Sequence, residues 1–258
     1  MRNSENSTYH IIIQYLGFRL HGWAKQTGLK TVHERIDKTI EFVLKHIDFK
    51  TMGSSRTDAM VSANESSFIL TASLLQSKEH FLEELNVNLP PDIKALSINE
   101  VDSAYNPLNP DNEKTYLYLF SSGMKPHPFC ASLLTSILEP LDLDTMTKGA
   151  ELFEGEHDFF NYATKPSAKT KTLRSISNCT IIENTFYTAS FFPDKTYALK
   201  VTAKGFLRNQ VRLMMGQLFK LGKGELNLQE IEDSLKEKRD QPFREIAPGS
   251  GLILEKIG

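Results

Sequence analysis

Residues 31–49 of the chain read TVHERIDKTIEFVLKHIDF, and this stretch has the apolar spacing of an amphipathic helix. The residues that recur at helical spacing are Val32, Ile36, Ile40, Val43, Leu44 and Ile47. Residues 9–16 (YHIIIQYL) before it and residues 66–74 (SSFILTASL) after it predict strands. A short helix at residues 78–85 and a strand at residues 93–101 continue the pattern. This alternation of strand and helix indicates a fold that mixes both.

The second half of the chain follows a similar rhythm. Residues 106–112 (NPLNPDN) contain two prolines and three asparagines, which predicts a linker. Beyond the linker, the pattern predicts strands at residues 114–120, 173–182, 195–203 and 252–256, and helices at residues 129–138, 144–153, 206–221 and 228–238. We therefore predict an α+β fold with a polar, mobile arm at residues 1–8 and two related lobes, at residues 9–105 and 106–258.

The composition is that of a folded protein without export or membrane segments. Of 258 residues, 40% are hydrophobic and 24% charged, which suffices for one large core or two ordinary ones. The sequence contains no apolar run of transmembrane length and no signal peptide, so a cytoplasmic location is expected. Cys130 and Cys179 lie far apart without metal-ligand spacing, which predicts two reduced core residues.

The positive charge is concentrated in two stretches although the formal net charge is only −2. Residues 195–224 and residues 159–182 contain no acidic residue. Their basic residues include Lys165, Lys169, Lys171, Arg174, Lys204, Arg208 and Arg212. Such local concentration suits contacts with nucleic-acid phosphates, although a pair of solvated faces gives the same pattern.

Three further segments contain residues that could do chemistry. Residues 53–58 (GSSRTD) form a polar loop between predicted elements, where Arg56 and Asp58 are either turn residues or a catalytic pair. Arg212, on the predicted helix 206–221, either reaches solvent or keeps a neighbouring carboxylate ionised. In the strand 114–120, Tyr116 and Tyr118 share a face, which suits core packing or stacking on a nucleobase.

Taken together and in this order, these segments resemble the TruA family of tRNA pseudouridine synthases. Residues 53–59 (GSSRTDA) are similar to its Gly-x-x-Arg-Thr-Asp-Ala signature, and residues 206–216 (FLRNQVRLMMG) to its Phe-x-x-x-x-Val-Arg-x-x-x-Gly helix. The other similar segments are residues 21–26 (HGWAKQ), 88–93 (NLPPDI), 116–118 (YLY), 155–159 (GEHDF) and 247–252 (APGSGL). The resemblance covers nearly the whole chain.

The resemblance implies roles for five residues. Asp58 would be the essential aspartate, and Arg212 the partner that keeps its carboxylate charged. Tyr116 would stack on the target base, and Leu252 would pack against that base. Arg56 would hold the extruded nucleotide or fill the gap that it leaves.

The resemblance also implies a fold, a substrate and an assembly. Two ferredoxin-like (RRM-like) lobes would share an extended, mostly antiparallel sheet, with the active site in the cleft between them. The substrate would be uridine in the anticodon stem-loop of tRNA, at positions 38–40, and the enzyme a homodimer. The isomerisation needs no cofactor and no metal. Lys165, Lys169, Lys171 and Arg208 would contact tRNA phosphates.

Five positions depart from the family pattern. Met60 and Ser62 replace a glycine and a histidine after the aspartate of the motif, and Glu65 and Ser66 replace a glycine and a glutamine. Leu108 lies nearest to the place of a missing arginine. The loop after Asp58 is therefore expected to follow a different path, since methionine does not favour the positive φ that glycine allows. Two alternatives stay open: an inactive RNA-binding or tRNA-folding protein, and an active synthase with a different RNA target.

Overall fold

The computed structural model describes residues 6–109 and 112–258 of the chain. The chain divides into two compact units, Met1–Asn109 and Pro110–Gly258, which we call unit 1 and unit 2. Ten strands and five α-helices occur among the described residues, which confirms an α+β fold. The predicted arm and linker lie partly outside the described residues, at residues 1–5 and 110–111.

Unit 1 has the element order strand, helix, strand, strand, helix, strand. The elements are β1 (Asn6–Tyr15), α1 (Val32–Leu44), β2 (Phe49–Gly53), β3 (Ser62–Ser73), α2 (Lys78–Asn88) and β4 (Ile93–Val101). They form an antiparallel sheet in the order β4-β1-β3-β2. The strand β1 buries Tyr9, Ile11 and Ile13 at alternate positions, as expected for a strand with one face in a core.

The main differences from the prediction in unit 1 lie at the end of α1 and the start of β1, and β2 was not predicted. The helix predicted at residues 31–49 ends at Leu44, because Lys45 adopts a left-handed conformation (φ 59°) and the chain then enters β2. Ile47, which continued the helical spacing, is exposed. Residues 6–8, assigned to the arm, belong to β1, where they pair with β3.

Unit 2 repeats the same order with additions. The elements are β5 (Lys114–Ser122), β6 (Thr135–Ile137), α3 (Leu143–Glu151), β7 (Gly155–Asp158), β8 (Leu173–Glu183), β9 (Tyr197–Ala203), α4 (Gln210–Gly222), α5 (Leu228–Lys236) and β10 (Leu252–Ile257). Antiparallel pairing gives the order β10-β5-β9-β8-β7, and the short β6 runs parallel to the end of β5. The set β5, α3, β8, β9, α4, β10 therefore has the order of unit 1.

The two faces of β5 enter different parts of the unit 2 core. Tyr118 and Phe120 point to one face, where their rings contact Phe219 of α4. Leu117 and Leu119 point to the opposite face. There they pack in a cluster with Cys130, Leu134, Ala198 and Ile253. The strand 114–120 that was predicted from sequence is thus buried on both sides.

Two helix predictions in unit 2 differ from the structure. The helix predicted at residues 129–138 is wrong: the chain forms a 3-10 turn (Pro128–Ser132) and then β6. Leu134 is used to cover the sheet, and the β-branched residues after it pair with β5. The helix predicted at 206–221 begins only at Gln210, so Arg208 precedes the helix that contains Arg212.

Several expectations about the whole chain can be compared with the described residues. Among them, no helix is long and apolar enough to cross a membrane. Both cysteines are free and buried, as predicted, and burial raises the pKa of the Cys179 thiol above its ordinary value. In residues 6–109 and 112–258, no group of three or more metal-ligating side chains occurs.

Candidate active site

Asp58 lies in the loop between β2 and β3 of unit 1 and is half-buried. The residue before it, Thr57, is held at two atoms. Its carbonyl accepts a hydrogen bond from the Trp23 N–H (3.0 Å), and its hydroxyl bonds that of Tyr15 (2.8 Å). Both Thr57 and Tyr15 are buried. The core of unit 1 therefore fixes the backbone directly before Asp58.

Two glycines allow the segment at residues 21–26 to lie directly against this loop. Gly22 has φ +85°, and a Cβ there would stand 2.7 Å from the carbonyl oxygen of Thr57. A Cβ at Gly53 would overlap the indole of Trp23. Any larger residue at either position would push the segment away from the loop. The segments at residues 21–26 and 53–59, each similar to a motif of the family, therefore pack directly against each other.

Two positions that depart from the family pattern, Met60 and Ser62, still hold the loop. Met60 has φ +67°, the left-handed region that glycine favours, and its N–H donates to the carbonyl of Leu20 (3.0 Å). For methionine this conformation costs about 1–2 kcal/mol. The Ser62 hydroxyl accepts a hydrogen bond from the Gly17 N–H (2.9 Å). Met60 thus adopts the positive φ that glycine would allow.

Arg56 is exposed and lies near a histidine of α1. Burial lowers the pKa of His33, and the charges of Lys25 and Arg56 lower it further, whereas Asp37 raises it. The His33 ring stacks on Trp23 (5.6 Å between centroids), and its Nε2 bonds the Thr51 hydroxyl (2.7 Å). The positive charge of Arg56 therefore acts on a histidine that stacks on Trp23, one of the residues that hold the Asp58 loop.

Tyr116 belongs to unit 2, on the face of β5 that also holds Tyr118. Only 8% of Tyr116 is exposed, and its ring meets Phe206 edge-on at 5.3 Å. Leu252, the first residue of β10, is buried and pairs with Tyr118 across the strands. Both predicted base-contacting residues of unit 2 thus lie on neighbouring strands of its sheet.

Arg212 lies in the first turn of α4 and is half-buried. Its Nε donates to the carbonyl of Ala247 (2.7 Å), and its Nη1 donates to the Oδ1 of Asn209 (3.1 Å). The backbone carbonyl of Arg212 in turn accepts from the Ala247 N–H (3.1 Å). A guanidinium keeps its charge at any physiological pH, so these bonds orient a permanent cation.

Tyr118 adds a neutral hydroxyl close to this cation. It is fully buried, and its hydroxyl donates to the carbonyl of Pro248 (2.8 Å) and bonds that of Thr135 (2.9 Å). Burial raises the pKa of Tyr118 far above its ordinary value, although the Thr135 bond and the positive charge of Arg212 act in the opposite direction. The hydroxyl therefore stays protonated and serves the structure of unit 2.

The predicted RNA-contacting residues of unit 2 are exposed. These are Lys165, Lys169, Lys171 and Arg208. The backbone brings the two basic stretches together, because the Thr164 N–H donates to the carbonyl of Arg208 (3.1 Å). Separated by more than forty positions in sequence, the segments before α4 and around Lys165 are neighbours in unit 2.

Sequence reasoning missed two residues that hold the candidate groups. Asn209 bonds Arg212 and also donates from its Nδ2 to the Thr164 hydroxyl (2.9 Å). Thr57 fixes the backbone directly before Asp58. Asn209 lies inside the helix predicted at residues 206–221; its tolerance of left-handed φ is the one signal that could have placed the helix start after it. The role of Thr57 has no comparable signal in the sequence.

Comparison with known proteins defines the class first. The family model described as tRNA pseudouridine synthase matches residues 150–258, which contain α4 with Arg212 and the strand that begins at Leu252. The matched region is therefore similar in sequence to that enzyme class.

Full-length relatives then define the family. tRNA pseudouridine synthase A of Bacillus sp. (strain KSM-64) is 32% identical over 97% of this chain and 99% of its own length. The protein of that name from Clostridium botulinum is 30% identical, covering 96% and 97% of the two chains. tRNA pseudouridine synthase A 2 of Bacillus cereus is 30% identical, covering 96% and 98%. The chain belongs to the tRNA pseudouridine synthase A (TruA) family.

Proposed function

We propose that this protein isomerises uridine to pseudouridine in tRNA, at positions 38–40 of the anticodon stem-loop. The observation that carries the proposal is the similarity to tRNA pseudouridine synthase A proteins over 97% of the chain. Asp58 lies within the similar region, on a loop held by Thr57, Trp23 and Tyr15. Loops that a rigid scaffold holds in place are common sites of catalytic groups.

The reaction rearranges bonds within one nucleotide. The bond between N1 of uracil and C1′ of ribose breaks, the base turns, and C5 bonds to C1′. C5 loses its proton and N1 gains one, so atoms and electrons balance without a redox partner. The enzyme must hold a detached base and stabilise charge on the ribose, which is a task of positioning and electrostatics.

Asp58 is the carboxylate that acts on the ribose, by attack at C1′ or by removal of a sugar proton. The Arg212 guanidinium keeps this carboxylate ionised, because a fixed positive charge favours the charged form of a neighbouring acid. Tyr116 supplies a flat ring on which the extruded uracil stacks, and Leu252 packs against the base. These roles make Asp58, Tyr116 and Arg212 members of one active site.

RNA binding depends on the exposed basic residues. Extruding a nucleotide from its stack costs a few kcal/mol, which contacts with the phosphates must offset. Lys165, Lys169, Lys171 and Arg208 are exposed in unit 2, and Arg56 is exposed in unit 1. We assign the first four to the phosphates and Arg56 to the extruded nucleotide.

The proposal includes the architecture and the assembly. Each unit is a ferredoxin-like lobe, supported by the order strand, helix, strand, strand, helix, strand and by its antiparallel sheet. The enzyme acts in the cytoplasm as a homodimer, which the family resemblance supports.

The test is single-turnover conversion of unmodified tRNA by an Asp58→Asn variant. Asparagine keeps the shape but cannot act as a nucleophile or base, so product formation should fall by at least about 10³-fold while tRNA binding stays within about twofold. Asp48→Asn is a matched control, because Asp48 is exposed in the same unit. Turnover by the Asp58→Asn variant at the normal rate would remove Asp58 from its role.

The departures at Met60, Ser62 and Leu108 favour two other functions. One is a synthase with a different RNA target, and the other is an RNA-binding or tRNA-folding protein without turnover. Pseudouridine mapping in tRNA from cells with and without the gene separates the possibilities. Loss of anticodon-arm sites supports the first proposal, and loss at other sites indicates a different RNA target. Unchanged tRNA modification together with tight tRNA binding would indicate an RNA-binding or tRNA-folding protein.

A further inference from the structure

Asn209 occupies an unusual position at the start of α4. It has φ 60° and ψ 12°, and its side chain accepts no hydrogen bond from a backbone N–H of the first helical turn. An asparagine at this position commonly accepts from a backbone N–H of that turn. Asn227, at the start of α5, does so by accepting from the Glu230 N–H (3.0 Å). The amide of Asn209 is therefore used for something other than capping.

Both ends of the Asn209 amide make specific contacts. Oδ1 accepts from the Arg212 Nη1 (3.1 Å), and Nδ2 donates to the Thr164 hydroxyl (2.9 Å). The position needs an acceptor facing a guanidinium, a donor facing a hydroxyl and tolerance of left-handed φ. Few residue types meet all three demands, and asparagine is the one whose short amide also suits left-handed backbone.

The contacts of Asn209 complete the support of Arg212. The Arg212 Nε already donates to Ala247, so a second bond at a different nitrogen restricts rotation of the guanidinium. Because an arginine stays charged whatever its orientation, losing the Asn209 bond changes where the charge points and leaves its amount unchanged. Catalysis is sensitive to displacements of about 1 Å in such groups.

We infer that Asn209 is a positioning residue that aligns the Arg212 guanidinium for catalysis and links it to the RNA-contacting segment that begins at Thr164. The inference rests on the proposed role of Arg212. Thr164 directly precedes Lys165, which has φ 49°, so the link joins two segments that each contain a residue in the left-handed region. Asn209 thus connects the segment proposed to bind tRNA with the Arg212 guanidinium that it orients.

The main test is the Asn209→Gly variant. Glycine accepts φ 60° without strain, so the fold should persist while the amide is removed. We expect kcat for tRNA to fall by about 10- to 100-fold and KM to change by less than about threefold. Asn227→Gly makes the same change at the start of α5 and should leave both constants unchanged. A normal kcat in Asn209→Gly, or a rise in KM alone, would overturn the inference.

A double variant shows whether Asn209 acts through Arg212. Arg212→Lys replaces the fork by a point charge, and adding Asn209→Gly should then reduce kcat no further. Multiplication of the two fold-losses would contradict the inference. Thr164→Val tests the link from its other end and should reduce kcat by less than Asn209→Gly does. A normal kcat in Thr164→Val would contradict the link to the RNA-contacting segment.

Failure of the inference differs from failure of the proposed function. Full turnover by Asp58→Asn and Arg212→Lys would overturn the proposed active site itself. Loss of turnover in those two variants together with normal turnover by Asn209→Gly would overturn only the role of Asn209.

Discussion

Units 1 and 2 have the same order of strands and helices but hold their candidate catalytic residues in different ways. In unit 1, Asp58 lies on an irregular loop that neighbouring segments surround. In unit 2, Tyr116 and Arg212 lie on a strand and on a helix, so regular backbone hydrogen bonds set their positions. The same order of elements thus places one candidate residue on an irregular loop and two on regular secondary structure.

The difference shows what each kind of support requires. The loop of unit 1 needs glycines at close approaches and tolerates a strained methionine at residue 60. The helix of unit 2 needs only local side-chain bonds to orient Arg212. A residue on a loop should therefore be more sensitive to backbone changes nearby than a residue on a helix. Substitutions in each unit test this difference in sensitivity.

We expect the largest effect from Gly22→Ala in unit 1. A methyl group there would press on the carbonyl of Thr57 and displace Asp58, so kcat should fall by about 100-fold. Gly28→Ala is the matched control, because Gly28 also has a positive φ (+77°) but meets nothing within 4 Å. Both variants carry the same kind of backbone strain. Equal kcat values in the two variants would show that contact with the loop is unimportant.

Gly216→Ala tests the corresponding close approach in unit 2. A Cβ at this helical position would overlap the carbonyl of Glu245, in the segment whose Ala247 holds Arg212. Alanine favours helices over glycine by about 1 kcal/mol, yet we expect a net loss of about 1–3 kcal/mol in unfolding free energy. Gly205→Ala should be nearly neutral, since a Cβ there meets nothing within 4 Å. Urea denaturation measures both, and a stabilised Gly216→Ala would contradict the prediction.

Met60→Gly should give a smaller effect of opposite sign. Relief of the left-handed strain outweighs the greater entropy of an unfolded glycine, so the free energy of unfolding should rise by up to about 1 kcal/mol. Ala59→Gly, at the neighbouring position with ordinary φ, should lower it by about 0.5–1 kcal/mol. If both variants destabilise by the same amount, Met60 is not strained.

The smallest expected effect is a pH dependence that arises in unit 1. Burial lowers the pKa of His10 and of His33 below the ordinary value of 6.5. As pH falls below about 6.5 the unfolded chain binds protons first, so stability decreases; above that pH both states are neutral and the contribution is constant. Lowering the pH from about 7.5 to about 5.5 should therefore reduce the urea midpoint of unfolding less in the double variant His10→Asn, His33→Asn than in the natural protein. An unchanged decrease would assign the pH dependence to other groups.

Much of the fold follows from local patterns. The strand at residues 93–101 and the helix around residues 228–238 could be predicted because alternation or helical spacing agreed with burial. The segment at residues 129–138 could not, since its apolar residues cover a sheet face that only the folded unit creates. Likewise, β7 is four residues long and depends on pairing with β8.

The candidate residues Asp58, Tyr116 and Arg212 could be selected from sequence because their motifs occur in the order typical of one family. The residues that hold them could not be selected in this way. Thr57 bonds Tyr15 and Asn209 bonds Thr164 across more than thirty positions, and no periodicity indicates such contacts. The proposed joint action of Asp58 and Arg212 stays a prediction for the variants described above.

The sequence by itself determined the family, the α+β class and the residue types available for chemistry, because these depend on order and spacing along the chain. Only the tertiary structure decided which side chains support the candidate groups, that Met60 adopts a left-handed backbone, and that Arg208 lies outside the helix of Arg212. Such features depend on contacts and hydrogen bonds between segments that are distant in sequence.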